Sequence, residues 1–160
     1  MSSGSAADES AAQIARYYEI LMTPLPSDDA SKVAMVQKRV DRGDADAMCF
    51  LGEQYYLAGL GLTKDASRAI ELWTDAAELG SAEAQYFLGH LCYYGNCVEE
   101  DKPRGIRHWL QAAMKGHAIC RHALGVAEYE VNGNSDLTAQ HWMISAKMGF
   151  KQSLDGMKAM

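Results

Sequence analysis

Five side chains with metal-ligand chemistry, Cys92, Cys97, His117, Cys120 and His122, fall in one stretch of this 160-residue chain. Thiolate and imidazole are donors that tetrahedral zinc takes. Their placement opposes that use, because Cys92 and Cys120 fall on core-facing helical positions, where a thiol behaves as a small hydrophobe. Cys97 falls in a loop, and no Cys-x-x-Cys occurs. No metal or other cofactor is expected. Nucleophilic and phosphate chemistry lack their motifs too: there is no His-Glu-x-x-His, Gly-x-Ser-x-Gly, Ser-x-x-Lys or Walker A pattern. Gly59-x-Gly61 is a fragment of a phosphate loop, but it follows a helical pattern where a strand is required, so it reads as a turn. His108 and His141 each precede a tryptophan and read as half-buried structural histidines.

A second set of side chains points to binding. At 100° per residue, positions 49, 53 and 56 lie opposite the core face of one helix. Equivalent positions in two later helices give three rows: Cys49-Glu53-Tyr56, Tyr86-His90-Tyr93 and His122-Val126-Tyr129. Stacked side by side, these helices would expose aromatic and imidazole groups along a concave surface. Tyrosine is enriched at binding surfaces. Glu53, Tyr56, Tyr86, His90, Tyr93, His122 and Tyr129 are therefore the candidate partner-binding residues, with a peptide or helix as ligand.

The elements that must position these rows repeat along the chain. An Ala-Ala-x-x-Gly closure occurs as AAELG (76–80) and AAMKG (112–116), and as SAKMG (145–149) with serine first. A Leu-Gly pair recurs as Leu51-Gly52, Leu88-Gly89 and Leu124-Gly125. The inner glycines are 89 − 52 = 37 and 125 − 89 = 36 residues apart, and the closing ones 116 − 80 = 36 and 149 − 116 = 33. A period of this length is the mark of a helical array. Repeat one spans 44–80, with a first helix over 46–57 (Ala47, Phe50, Leu51, Gly52 and Tyr55 inward), a turn at Gly59-Leu60-Gly61-Leu62, and a second helix capped by Asp65 or Ser67. That helix turns Ala69, Ile70, Trp73, Ala76 and Ala77 inward. Repeat two, 81–116, uses Ser81 and Asp101 as caps, with Pro103 in the first turn, where its missing N–H costs nothing. Repeat three, 117–149, is shorter by three residues in VNGNSD. Trp73, Trp109 and Trp142 hold one position throughout, a packing ladder. A mid-helix glycine costs about 1 kcal/mol against alanine; here it lets the second helix approach, with Ala76-Ala77 and Ala112-Ala113 as the matching small surface.

The flanks are read from local signals. Residues 1–12 have a disordered composition. Residues 13–43 read as N-terminal helices with a half-repeat cap. A helix over 11–22 with Ile14, Tyr17, Tyr18 and Leu21 on one side is stopped by Thr23-Pro24-Leu25-Pro26. A second follows over about 30–42, with Ser27, Asp28 and Asp29 as cap candidates. Residues 150–160 begin a fourth repeat whose apolar face lacks its second helix, so truncation or self-association through this end is expected. Net charge −6 and the absence of a basic cluster beyond Lys38-Arg39 with Arg42 argue against a nucleic-acid partner. No apolar run of membrane-spanning length and no signal-peptide pattern occurs. Four irregularly spaced cysteines suit reduced thiols in the cytoplasm, or the nucleus.

The repeated residues are similar to the Sel-1-like repeat family, a relative of the tetratricopeptide repeats. Repeat one matches its pattern through Ala47, Leu51, Gly52, Tyr55, Gly59, Gly61, Leu62, Asp65, Ala69, Trp73, Ala76, Ala77 and Gly80. Repeat two departs at Cys92, Cys97 and Gly105, the last standing where the pattern has alanine. Repeat three keeps Leu124, Gly125, Trp142, Ala146 and Gly149, with Cys120 and Glu128 as departures. The resemblance implies an all-α fold, a right-handed α/α superhelical solenoid, and a non-enzymatic adaptor that binds protein. The alternatives are a hydrolase of cell-wall or lactam type, suggested for some bacterial relatives, and a self-assembly element.

Overall fold

A computed structural model describes residues 27–159. The expected tail, the helix over 11–22 and its proline stop lie outside the described residues. Within them the chain forms eight α-helices and no strand: α1 (Asp29–Val40), α2 (Ala45–Leu57), α3 (Ala66–Glu78), α4 (Ala82–Tyr94), α5 (Lys102–Met114), α6 (Ala118–Ala127), α7 (Ser135–Lys147) and α8 (Lys151–Ala159). Helices that neighbour in sequence pack as neighbours in space, so the architecture is the expected α/α solenoid. The pairs α2/α3, α4/α5 and α6/α7 are its repeats.

One chain-reversal device is used four times. Gly43, Gly80, Gly116 and Gly149 all have positive φ, between +79° and +97°. In each case the glycine N–H and the next N–H bond back to consecutive carbonyls of the ended helix: Gly80 to Ala77 and Ser81 to Ala76, Gly116 to Ala113 and His117 to Ala112. These paired bonds satisfy carbonyls that a helix end leaves open, in a left-handed conformation that glycine adopts without a Cβ penalty. At the opposite ends Asp28, Asp44, Asp65, Ser81, Asp101 and Asn134 accept backbone N–H bonds as N-caps. Asp65, not Ser67, is therefore the cap of α3.

The inner glycines have a different cause from the one expected. A Cβ on Gly52 would lie 2.7 Å from Trp73 Nε1, one on Gly89 2.5 Å from Trp109, and one on Gly125 2.6 Å from Trp142. The pyrrole edge of the indole lies against the bare backbone. Its N–H donates to a carbonyl of the same helix: Trp73 to Cys49 O, Trp109 to Tyr86 O and Trp142 to His122 O, at 3.2, 3.4 and 3.2 Å. Tryptophan on glycine, rather than alanine on glycine, sets the spacing within each repeat. The alanines face elsewhere in the core, with Ala76 and Ala112 fully buried.

Other expectations need correction. Phe50, expected inward, is 42% exposed, whereas Leu72 is buried. In the turn after α2 the left-handed residues are Ala58, Leu60 and Gly61; Gly59 is instead crowded by the Gln54 side chain. The three-residue deletion in repeat three removes that turn altogether. A π-helical turn over Glu128–Asn132 continues α6 and ends at Gly133, with φ +63°.

Candidate functional site

Four of the seven candidate residues meet in one open cleft between α2 and α4. It holds about 190 Å³ and is lined by Glu53, Tyr56 and Leu57 of α2, Trp73 of α3, and Tyr86, Phe87, His90 and Leu91 of α4. Beside it, sharing Glu53 and Phe87, is a second depression formed by Asp46, Cys49, Phe50 and Glu83. The floor is aromatic. Phe87 stacks on Trp73, with ring centroids 4.6 Å apart and planes 12° from parallel, and Tyr56 meets Trp73 at 5.6 Å with its ring tilted by 50°. Tyr86 stacks on His117 at 5.5 Å. His117 is fixed in turn: Nδ1 accepts the Cys120 N–H as the N-cap of α6, so Nε2–H donates to Glu83, 2.8 Å away.

Three candidates do not join the cleft. Tyr93 was expected beside Tyr86 and His90, but only 1% of it is exposed. Its ring packs against Trp109 at 4.8 Å, and its hydroxyl donates to Glu130 at 2.8 Å. The cause is Gly105, where a Cβ would lie 2.7 Å from Tyr93 Cβ and 2.8 Å from Gly89 O. In repeat one Ala69 holds that position, and the equivalent Tyr56 stays half-buried. Burial and the Glu130 carboxylate push the Tyr93 phenol above its usual range. His122 is covered by α8: its ring stacks on Trp142 at 5.2 Å and Nδ1 meets Ser153 Oγ at 2.9 Å. Tyr129 sits on the π-helical turn, 59% exposed and away from the cleft.

The His122–Ser153 pair is the arrangement nearest to a nucleophile and base. Ser153 is fully buried, so no substrate carbonyl reaches its hydroxyl, and no carboxylate of the described residues hydrogen-bonds the other ring nitrogen. The pair instead fastens α8 to α6. Among the described residues no group of three or more His, Cys, Asp or Glu side chains is placed to hold a metal ion. Cys49, Cys92 and Cys120 are buried free thiols, and burial pushes Cys120 up to about 12, so it is a protonated core side chain at neutral pH. Phe87, the centre of the cleft, carried a readable signal: Phe50 and Phe87 are 37 residues apart, each one position before a Leu-Gly pair.

Four histidines respond to acid together. Burial holds His90, His108, His122 and His141 below the usual imidazole value of 6.5. His108 donates Nδ1–H to Gln85, while His141 Nδ1 is buried without a partner. Because the folded values lie below the unfolded one, the unfolded chain takes up protons first. Stability is full above pH 6.5 and falls as pH drops from there through the folded values. Partial solvent exposure screens each group, so each histidine contributes only part of the loss a fully buried one would. Urea unfolding followed across this window checks it, and a flat midpoint from neutrality down to the carboxylate range would refute the histidine burial. A later loss, as Asp28 and Asp44 protonate below 3.8, is separable.

The fold and its ladder define an α/α repeat protein whose helix pairs are closed by left-handed glycines. The Sel1 repeat family model matches residues 45–81 and 82–117, one residue later in phase than the sequence pattern suggests. Residues 45–117, a little under half of the chain, thus match a pair of Sel1 repeats. The same tryptophan-on-glycine geometry continues in α6 and α7. Among solved structures the chain is similar to a protective antigen of uropathogenic Escherichia coli displaying an SLR fold (22% identity, TM-score 0.71, 79% of this chain and 28% of that one). It is also similar to a Sel1 repeat protein from Oxalobacter formigenes (24%, 0.74, 79% and 52%). A third is Helicobacter pylori cysteine rich protein B (18%, 0.59, 77% and 95%). The chain thus spans 28% and 52% of the first two proteins. These likenesses establish the right-handed solenoid fold. Sel1-repeat proteins are generally protein-interaction scaffolds and typically not enzymes.

Proposed function

We propose that this chain is a non-enzymatic scaffold that binds a polypeptide partner in the cleft between α2 and α4. The observation that carries the reading is the convergence of Tyr56, Tyr86, Phe87 and His90 over the buried Trp73 in one open cleft. Rings held by stacking present contact area with little conformational freedom left to lose on binding. Leu57 at the rim, 64% exposed, adds apolar surface. Four free thiols support the reading of a reducing compartment such as the cytoplasm.

Tyr86→Ala tests this reading. A truncated aromatic anchor at the centre of an interface costs about 2 kcal/mol or more, roughly thirtyfold in Kd. The partner co-purified with the wild-type chain is identified, its affinity for the variant measured, and amide exchange compared in free and bound chain. Slowed exchange on α2 and α4 with a large Kd increase is expected. An unchanged Kd in a variant of equal helicity, with protection elsewhere, would move the partner off the cleft.

A second reading is self-association through the last helices, favoured by the exposed Met143 and Ile144 of α7, Met148 at its C-cap and Leu154 of α8. Sedimentation at rising concentration decides it: a constant monomer mass excludes this reading.

A further inference from the structure

We infer that the cleft selects a basic segment of its polypeptide partner, with an arginine or lysine side chain seated between Tyr56, Tyr86 and Phe87 and its charge facing Glu53. The inference rests on the reading of the cleft as a polypeptide site and adds the chemistry of what enters it. Glu53 is the one residue besides Phe87 common to both depressions, and its carboxylate makes no hydrogen bond or ion pair among the described residues. Asp46 and Glu83 continue the negative charge along the second depression.

Aromatic faces attract a cation placed over them, and a guanidinium also stacks on a ring. The chain displays this attraction in its own Lys64, whose Nζ lies 5.6 Å from the centre of the Tyr56 ring. No Lys or Arg lines either depression. The one imidazole in the main cleft, His90, is held neutral at physiological pH by burial and sets no positive charge against an incoming cation. Glu83 is shared with His117, which leaves Glu53, in both depressions, and Asp46, in the second, as the carboxylates open to a partner. Aromatic walls, a Glu53 carboxylate without a partner among the described residues and net charge −6 for the whole chain favour a basic occupant over an acidic or neutral one.

Selection from a displayed library of random peptides, with the whole chain immobilised, tests the inference. Enriched peptides are expected to share one Arg or Lys. A synthetic copy with citrulline or norleucine in its place should bind about tenfold more weakly, as should the parent peptide with Glu53→Gln, and Tyr86→Ala should weaken it further. Raising ionic strength to about 1 M, where the Debye length is about 3 Å, should weaken the charged peptide and spare the neutral copy. Enriched peptides without a common cation, or with affinity indifferent to Glu53→Gln, overturn the charge selection. If such neutral peptides still depend on Tyr86, the cleft remains the polypeptide site. Peptides indifferent to both substitutions, or no enrichment at all, remove this proposal together with the reading it rests on. The Glu53 carboxylate makes no hydrogen bond or ion pair among the described residues, so Glu53→Gln is expected to leave the fold intact, and circular dichroism verifies this.

Discussion

Trp109→Ala is expected to cost about 3–5 kcal/mol of folding stability, the range for removing a large buried aromatic. Trp109 is 2% exposed in the central repeat and packs against Tyr93 at 4.8 Å and Tyr94 at 6.4 Å. Its indole N–H also satisfies Tyr86 O, which loses that bond when the ring is removed. The glycine beneath it cannot fill the space, because Gly89 has no side chain to move into the void. In a solenoid the energy resides in each repeat and its nearest neighbours, so a lesion in the middle weakens both interfaces of its repeat. Against a total of about 5–15 kcal/mol for an ordinary domain, the variant is expected to be largely unfolded in mild denaturant. Chemical denaturation followed by circular dichroism measures it. A loss below about 1 kcal/mol would mean that the indole does not hold the two helices together.

Gly89→Ala is the second large effect, and its sign goes against helix propensity. In an exposed helix this change stabilises by about 1 kcal/mol. Here the new Cβ would meet Trp109 Cδ1 and Nε1 at 2.5 Å and Gly105 O at 3.1 Å, which no side-chain rotation relieves. Overpacking of this kind costs about 1–3 kcal/mol or more, so the net change is expected to be destabilising by about 1–2 kcal/mol. The diagnostic is the double variant. Once Trp109→Ala has removed the ring, Gly89→Ala should become neutral or stabilising. That reversal gives a coupling energy of at least about 1 kcal/mol in a double-mutant cycle. Additive effects would show that the glycine serves some contact other than the indole.

Both predictions concern a motif whose residues were visible but whose pairing was not. The period of Leu-Gly and Ala-Ala-x-x-Gly places glycine and tryptophan once per repeat, yet linear spacing does not say which residues across two helices touch. The expectation that alanine met the glycine was reasonable on size alone. The indole takes that place because it also brings an N–H to a carbonyl of the facing helix, which a methyl cannot do. In the candidate site, the 100° rule placed Glu53, Tyr56, Tyr86 and His90 on one face. It missed Phe87, which lies one residue from the row yet becomes the floor of the cleft by stacking on Trp73 of the preceding repeat.

The amino-acid sequence by itself determined the all-α class, the repeat period, the glycines that close each repeat and several of the helix caps. These follow from local chemistry: glycine tolerates positive φ, short polar side chains satisfy open N–H groups, and apolar periodicity sets the buried face. The tertiary structure alone decided which aromatic rings face solvent. Tyr56, Tyr93 and Tyr129 share one register position, yet they end half-buried, buried and exposed. The first meets Ala69 across the repeat and the second meets Gly105. The third is carried away by a π-helical turn that absorbs three missing residues. Each outcome depends on a residue far along the chain or on a loop length, and space between helices exists only once they are packed.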